Sequence, residues 1–240
     1  MDIFQTTNGI FIIYPDDYII SGWIRSGYIY EYNLVNDYLK KYILKSKIII
    51  DAGANIGCHA ISYSNFNPNA TIYAFEPQKE IYDVLNKNKR LNHSSNLVCL
   101  NHSLGHANCD VNMNPPLKTP DGINYAGTGI GIGGEPTKMV TIDSLHLSGL
   151  DFLKMDVQGS EGLVIMGARE TITKYKPTIL FEHDNTRVDS AYFELAEIPT
   201  PFFELVKLGY NTFKYLGGHN YITQCDNELN FEDSFNFLTR

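Results

Sequence analysis

A chain of 240 residues, 43% of them hydrophobic, can bury a full α/β core; length allows one large domain or two small ones, and one is expected. Nineteen Lys and Arg against 27 Asp and Glu leave a net charge of −8 with no long basic run, which argues against electrostatic nucleic-acid binding. Nowhere do about 18 apolar residues run together, so no membrane partner is expected, and four scattered cysteines (58, 99, 109, 225) suit a reduced, cytoplasmic protein.

Residues 10–32 alternate short apolar runs with turn residues such as Pro15, Asp16 and Asp17, which predicts two or three short strands. A helix over 33–45 follows, with Leu34, Tyr38, Leu39 and Tyr42 at helical spacing and Asn33 as a possible N-cap. Residues 1–45 thus form an N-terminal cap and lead-in helix before a core over 46–225. The apolar run Ile48–Ile50 predicts a buried strand ending in Asp51, then a Gly-rich turn and a helix over 55–65. Strands 71–75 and 97–100 flank a helix over 78–91.

Residues 106–138 break this rhythm with Pro115, Pro116, Pro120 and glycines at 127, 129, 131, 133 and 134. An excursion of this length is usually functional or mobile, and a flexible hairpin or lid is expected. A strand-like stretch follows the glycines where a phosphate loop would need a helix, so phosphate binding there is disfavoured. Alternation resumes with strands 151–156 and 177–182 around a helix over 160–173, then a helix over 200–208 and strands near 211–215 and 220–224. The predicted fold is α/β: a doubly wound, mostly parallel seven-stranded sheet with an antiparallel C-terminal hairpin.

Four acids fall at or just beyond strand ends, Asp51, Glu76, Asp156 and Glu182. Open α/β sheets bind ligands at these carboxyl ends, and carboxylates gathered there repel one another and need a reason. Glu76, 19 residues after Gly57, is placed to accept hydrogen bonds from two ribose hydroxyls. A ribose is common to NAD and S-adenosylmethionine, but the first turn separates them. A dinucleotide fingerprint needs a middle glycine where Ala54 and Asn55 stand. The Asp51 carboxylate would repel a pyrophosphate yet suits a ligand carrying ammonium and sulfonium charges, which favours S-adenosylmethionine over an NAD-dependent oxidoreductase or epimerase.

The stretches 51–57, 74–77, 140–145, 153–161, Gly167 with Ala168, and 177–183 together resemble the successive motifs of FkbM-type S-adenosylmethionine-dependent methyltransferases, in order over roughly residues 25–225. That resemblance implies O-methylation of a small-molecule or glycan hydroxyl on a class I methyltransferase fold. It assigns the methionine end to Asp51, Gly53, Ala54, Asn55, Ile56 and Gly57, the ribose to Glu76, and the neighbourhood of adenine to Ser103. Two departures stand out: Gln158 where the family commonly has Glu, and Ser160 where Ala is usual. A non-catalytic binding module with the same fold is the other alternative.

Transfer to an aliphatic hydroxyl requires alignment and removal of a proton. His183 is the expected base because imidazole titrates near neutrality and lies just beyond a strand end. Asp156 is the second candidate, as base or to position the hydroxyl, and Lys154, two residues earlier on the same side of the sheet, is available to pair with a carboxylate. A divalent cation bridged by Asp156, Glu182 and Asp184 would also explain clustered acids, but no tight ligand spacing supports it and no metal is expected. His59 is expected to be a packed helix residue; Trp23, Arg25, Tyr28, Tyr30 and Glu31 lie where such an enzyme would close over its cofactor, but packing within the cap is the favoured reading of this aromatic set.

Overall fold

The computed structural model describes residues 2–184, 200–225 and 234–236. Strands β1 (Asp2–Gln5) and β2 (Ile10–Ile13) pair as an antiparallel hairpin. Where a further strand is expected, α1 (Ile20–Arg25) forms instead: the Asp17 carboxylate accepts the Ser21 N–H at 2.6 Å, and Ile20, Ser21 and Ile24 face inward with helical period. The lead-in helix begins as a π-helical turn, Leu34–Leu39, and continues as α2 (Lys40–Ile43). Asn33 is not its side-chain cap, because its own backbone is already helical (φ −66°, ψ −40°).

The core then alternates β3 (Ile48–Ala52), α3 (Cys58–Phe66), β4 (Thr71–Phe75), α4 (Lys79–Leu91) and β5 (Leu97–Leu100). After the excursion come β12 (Phe152–Met155), α5 (Glu161–Met166), α6 (Arg169–Tyr175), β13 (Thr178–Glu182), α7 (Pro201–Lys207), β14 (Thr212–Gly217), β15 (Asn220–Thr223) and β16 (Ser234–Asn236). The single helix expected over 160–173 is thus two, interrupted at Gly167. A Cβ there would sit 1.9 Å from the Gly105 carbonyl oxygen, so the chain turns around this close approach.

The main sheet runs β16-β14-β15-β13-β12-β3-β4-β5. The five strands from β13 to β5 are parallel, and β15, β14 and β16 are antiparallel additions. The short β16 makes eight strands, one more than the seven expected. Period-2 alternation divides the core between the faces: Ile49 and Ile72 pack with α3 and α4, whereas Ile50, Leu153 and Phe181 pack with α5, α6 and α7. Chain order reverses between β3 and β12, which opens a crevice at their carboxyl ends.

Residues 106–138 are more structured than a hairpin or lid. Here β7 (Cys109–Met113), β10 (Ile130–Gly131) and β11 (Pro136–Val140) join β6 (Ser103–Leu104) in a second, four-stranded sheet, and β8 (Leu117–Thr119) and β9 (Gly122–Asn124) form a hairpin. Met113, Val111, Ile130 and Met139 give this sheet a small core of its own. The hairpin is fastened to the N-terminal cap by a Tyr14–Tyr125 stack with ring centroids 4.7 Å apart and by the Ile123 N–H donating to the Asp16 carbonyl at 2.8 Å. No helix among the described residues is long and apolar enough to cross a membrane.

Candidate active site

The crevice is a cleft of about 1090 Å³ including its open mouth. Its floor is the β3 turn, Gly53, Ala54 and Asn55, beside the strand-end residues Glu76, Lys154, Asp156 and Glu182. The N-terminal cap adds Ile20, Tyr30 and Glu31, and the excursion adds Asn124, Gly127, Thr128 and Ile130.

Local sequence builds the turn. Gly53 has φ +75°, and a Cβ on it would lie 1.9 Å from the Asp156 carbonyl oxygen, so only glycine lets the β3 and β12 ends meet. Gly57 has φ +100° and lies against Leu85 and Ile61, and Ile56 is buried in the core. Of the turn residues expected to touch a ligand, Gly53, Ala54 and Asn55 therefore line the cleft, while Ile56 and Gly57 stand behind it and shape it.

Asp51 also stands behind the wall. It is completely buried, in register with Lys154 on β12, and the two side chains form an ion pair at 3.1 Å. The Lys154 ammonium also donates to the Gly53 carbonyl at 3.0 Å and lies 3.8 Å from Asp156. Burial works against its charge, but Asp51 and Asp156 outweigh that and raise its pKa, so the ammonium is firmly held. The charge of Asp51 thus reaches the cleft only through Lys154.

Glu76, 3% exposed, is gripped at both oxygens: one accepts the Asn55 N–H at 2.9 Å and the other the Gln78 N–H at 2.9 Å. Burial nevertheless pushes its pKa up to about 7, against these two bonds. Ser103 lines the same end of the cleft, 4% exposed and with no partner for its hydroxyl.

Gln158, at φ +54°, donates its amide to Asp156 at 2.7 Å and to Glu182 at 3.1 Å. An amide can bridge two carboxylates where a glutamate would add a third negative charge. Burial opposes ionisation of Asp156, but the Lys154 ammonium and the hydrogen bond from the Gln158 amide hold its pKa below the ordinary value. Among the described residues no group of three or more His, Cys, Asp or Glu is arranged to hold a metal, and Asp184 does not line the cleft.

His183 is not on the cleft wall. Its ring packs edge-on against Phe202 at 5.3 Å, and its backbone N–H donates to the His219 carbonyl at 2.9 Å. His59 does line the cleft, with Nε2 3.2 Å from Glu31 and Nδ1 3.3 Å from the Tyr63 hydroxyl. Gln78, Asn124 and Thr128 also line the wall and carry no sequence signal; Asn124 arrives on the β8–β9 hairpin and Thr128 on the loop that follows it, whose docking no local pattern announces.

The model of the methyltransferase FkbM domain matches residues 51–212. A methyltransferase of Sordaria araneosa, sdnD, is 50% identical over 44 residues, 18% of this chain and 17% of that protein. The crystal structure of methyltransferase FkbM from Methylobacillus flagellatus aligns with 75% of this chain and 43% of its own, at 17% identity and a TM-score of 0.49. Aeropyrum pernix fibrillarin with bound S-adenosyl-L-methionine aligns with 75% of this chain and 66% of its own, at 16% identity and a TM-score of 0.44. The chain therefore spans under half the length of the first two of these relatives. With the family model running from Asp51, next to last in β3, to the start of β14, more than half of its 240 residues, the chain belongs to the methyltransferase FkbM domain family.

Proposed function

We propose that this protein transfers the methyl group of S-adenosylmethionine to a hydroxyl of a small acceptor, a sugar or other glycan unit, inside the cell. The residues present fit that donor. Gly53, Ala54 and Asn55 line the cleft beside Glu76, and Ser103 keeps a buried hydroxyl without a partner. The donor supplies an electrophilic methyl group on a sulfonium when bound, and the chain's own work is to bind, align and manage the acceptor proton.

The observation that carries the reading is the grip on Glu76. Both carboxylate oxygens are fixed by backbone N–H groups from the β3 turn and the start of α4, and each has a lone pair left for a ribose hydroxyl. In this reading Gly53, Ala54 and Asn55 offer main chain to the methionine end, and Asp51 acts at one remove by holding Lys154. Asp156 and Glu182, bridged by Gln158, receive the acceptor's hydroxyl groups. The acidic wall and the net charge of −8 favour a neutral acceptor over a nucleic acid.

Calorimetry with S-adenosylhomocysteine tests this. The wild-type protein is expected to bind, and Glu76→Ala to weaken binding by about tenfold or more through the loss of charge-assisted hydrogen bonds. Absence of binding, or an indifferent variant, sinks the donor assignment.

A further inference from the structure

The cleft holds one titratable pair that the proposed function leaves without a task, Glu31 and His59. We propose that His59 takes the acceptor's hydroxyl proton and that Glu31 positions it and receives its charge. The assignment rests on the hydroxyl-methylation reading above.

Elimination around the cleft leads there. Glu76 is committed at both oxygens, Lys154 is a held cation, and Asp156 is stabilised as the anion by Lys154 and Gln158, which makes it a weak base. His183 packs on Phe202 outside the wall. His102 does line the cleft, but it follows β5, two strands from β3 and on the far side of Glu76. That is the end where adenine would extend, about 10 Å across the sheet from β3. His59 instead sits in the first turn of α3, directly after the β3 turn where the methionine end would lie.

The geometry is that of a supported base. His59 is 6% exposed, and its Nδ1 lies 3.3 Å from the Tyr63 hydroxyl; burial raises the Tyr63 pKa, so this phenol stays protonated and neutral. A proton on Nδ1, donated to the Tyr63 oxygen, leaves the Nε2 lone pair available, and Nε2 has no aligned hydrogen bond although Glu31 Oε2 is 3.2 Å away. The second Glu31 oxygen accepts from Asn220 on β15 at 2.5 Å. Glu31 itself is held at φ +58°, a left-handed conformation that is strained for a non-glycine residue. Such strain persists only where surrounding structure over-determines it, and here it directs a carboxylate at an imidazole inside a cleft. The groups around His59 are Glu31 and Tyr63 in contact, with Asp156, Lys154 and Glu182 on the same wall.

In the step this implies, the acceptor O–H bond breaks and its proton passes to Nε2. The oxygen–methyl bond forms as the sulfur–methyl bond breaks, and the sulfur keeps that electron pair as a neutral thioether. The imidazolium that results is paired with Glu31.

The test compares wild type, His59→Gln, His59→Gly, Glu31→Gln and His183→Ala. Two readouts are used: calorimetric S-adenosylhomocysteine binding, and transfer of labelled methyl to a panel of free hexoses and methyl glycosides. The expected result is binding within about threefold of wild type for every variant. Transfer falls about 100-fold in His59→Gln, the lower range for losing a general base, and much less in His183→Ala. Glu31→Gln lowers kcat by about tenfold or more while KM changes little, and added imidazole partly restores His59→Gly. A His59→Gln protein that binds normally and keeps a third of the wild-type rate overturns the assignment. So does an unchanged kcat in Glu31→Gln, which decides the matter even where the His59 variants fail to fold. Wild-type protein that binds S-adenosylhomocysteine yet methylates no probe overturns the hydroxyl-transfer reading and this assignment with it, whereas failure in the variants alone touches only His59.

Discussion

Two buried glutamates in this site look alike in sequence and behave differently for a reason of single atoms. Glu76 uses both oxygens on separate backbone N–H groups, so an amide in its place would turn a donor toward a donor. Glu161 uses one oxygen, which accepts from Val157 at 2.9 Å and Gly159 at 3.4 Å, and an amide oxygen can keep both bonds. Burial pushes the Glu161 pKa up to about 7 from an ordinary 4.5. A raised carboxylate pKa means the folded state holds its proton after the unfolded state has lost it, so this contribution to stability falls as pH rises from 4.5 to about 7 and is flat above. Glu161→Gln is therefore expected to be more stable than wild type at pH 8, by on the order of 3 kcal/mol, with the difference vanishing near pH 4.5. Urea midpoints across that range check it, and a pH-independent difference refutes it. The Asp51–Lys154 pair gives the opposite case. Lys154→Met leaves a fully buried carboxylate uncompensated and should cost about 3–5 kcal/mol, while the double variant Asp51→Asn, Lys154→Met recovers much of that loss in a double-mutant cycle.

Elements in this molecule are joined by side chains that imitate backbone. Asn88 on α4, fully buried, accepts the Ile12 N–H at 2.6 Å and donates to the Ile12 carbonyl at 3.1 Å and the Ile56 carbonyl at 2.9 Å. One turn later Asn92 does the same for Ile10, accepting at 2.8 Å and donating at 2.6 Å. Strand β2 thus has its outer ladder completed by a helix, which buries an edge that would otherwise invite pairing. Asn88→Ala should cost roughly 1–3 kcal/mol for each backbone group it strands, read as a fall in the urea midpoint; a change under about half a kcal/mol contradicts the account. Periodicity placed α4 and its apolar face of Ile81, Val84 and Leu85 within a residue, yet Asn88 and Asn92 read as ordinary polar positions, because their partners lie about 80 residues away in the chain. The case of α1 is different. A short amphipathic helix and a short strand offer similar apolar counts over six residues, and the Asp17–Ser21 bond that favours the helix is a local contact, four residues apart, that apolar counting does not register.

Across the whole molecule the second sheet and the β8–β9 hairpin wall the cleft, and the hairpin is held against the N-terminal cap. Removing the Tyr14–Tyr125 stack with Tyr125→Ala should loosen that junction by about 1 kcal/mol. Limited proteolysis within 114–130 should then accelerate while the global urea midpoint moves little, and unchanged cleavage would show that the stack is not what fastens the hairpin. The sequence by itself determined the parallel sheet, the glycine turn after β3 and the acids at the strand ends, since these follow from local apolar period, from the steric freedom of glycine and from strand termination. Only the tertiary structure decided which of those residues face the cleft. Register buries Asp51 behind Lys154, the Phe202 contact draws His183 away, and the fold of the N-terminal cap brings Glu31 to His59. Orientation of this kind depends on pairing between segments far apart in the chain, and no local pattern of residues encodes it.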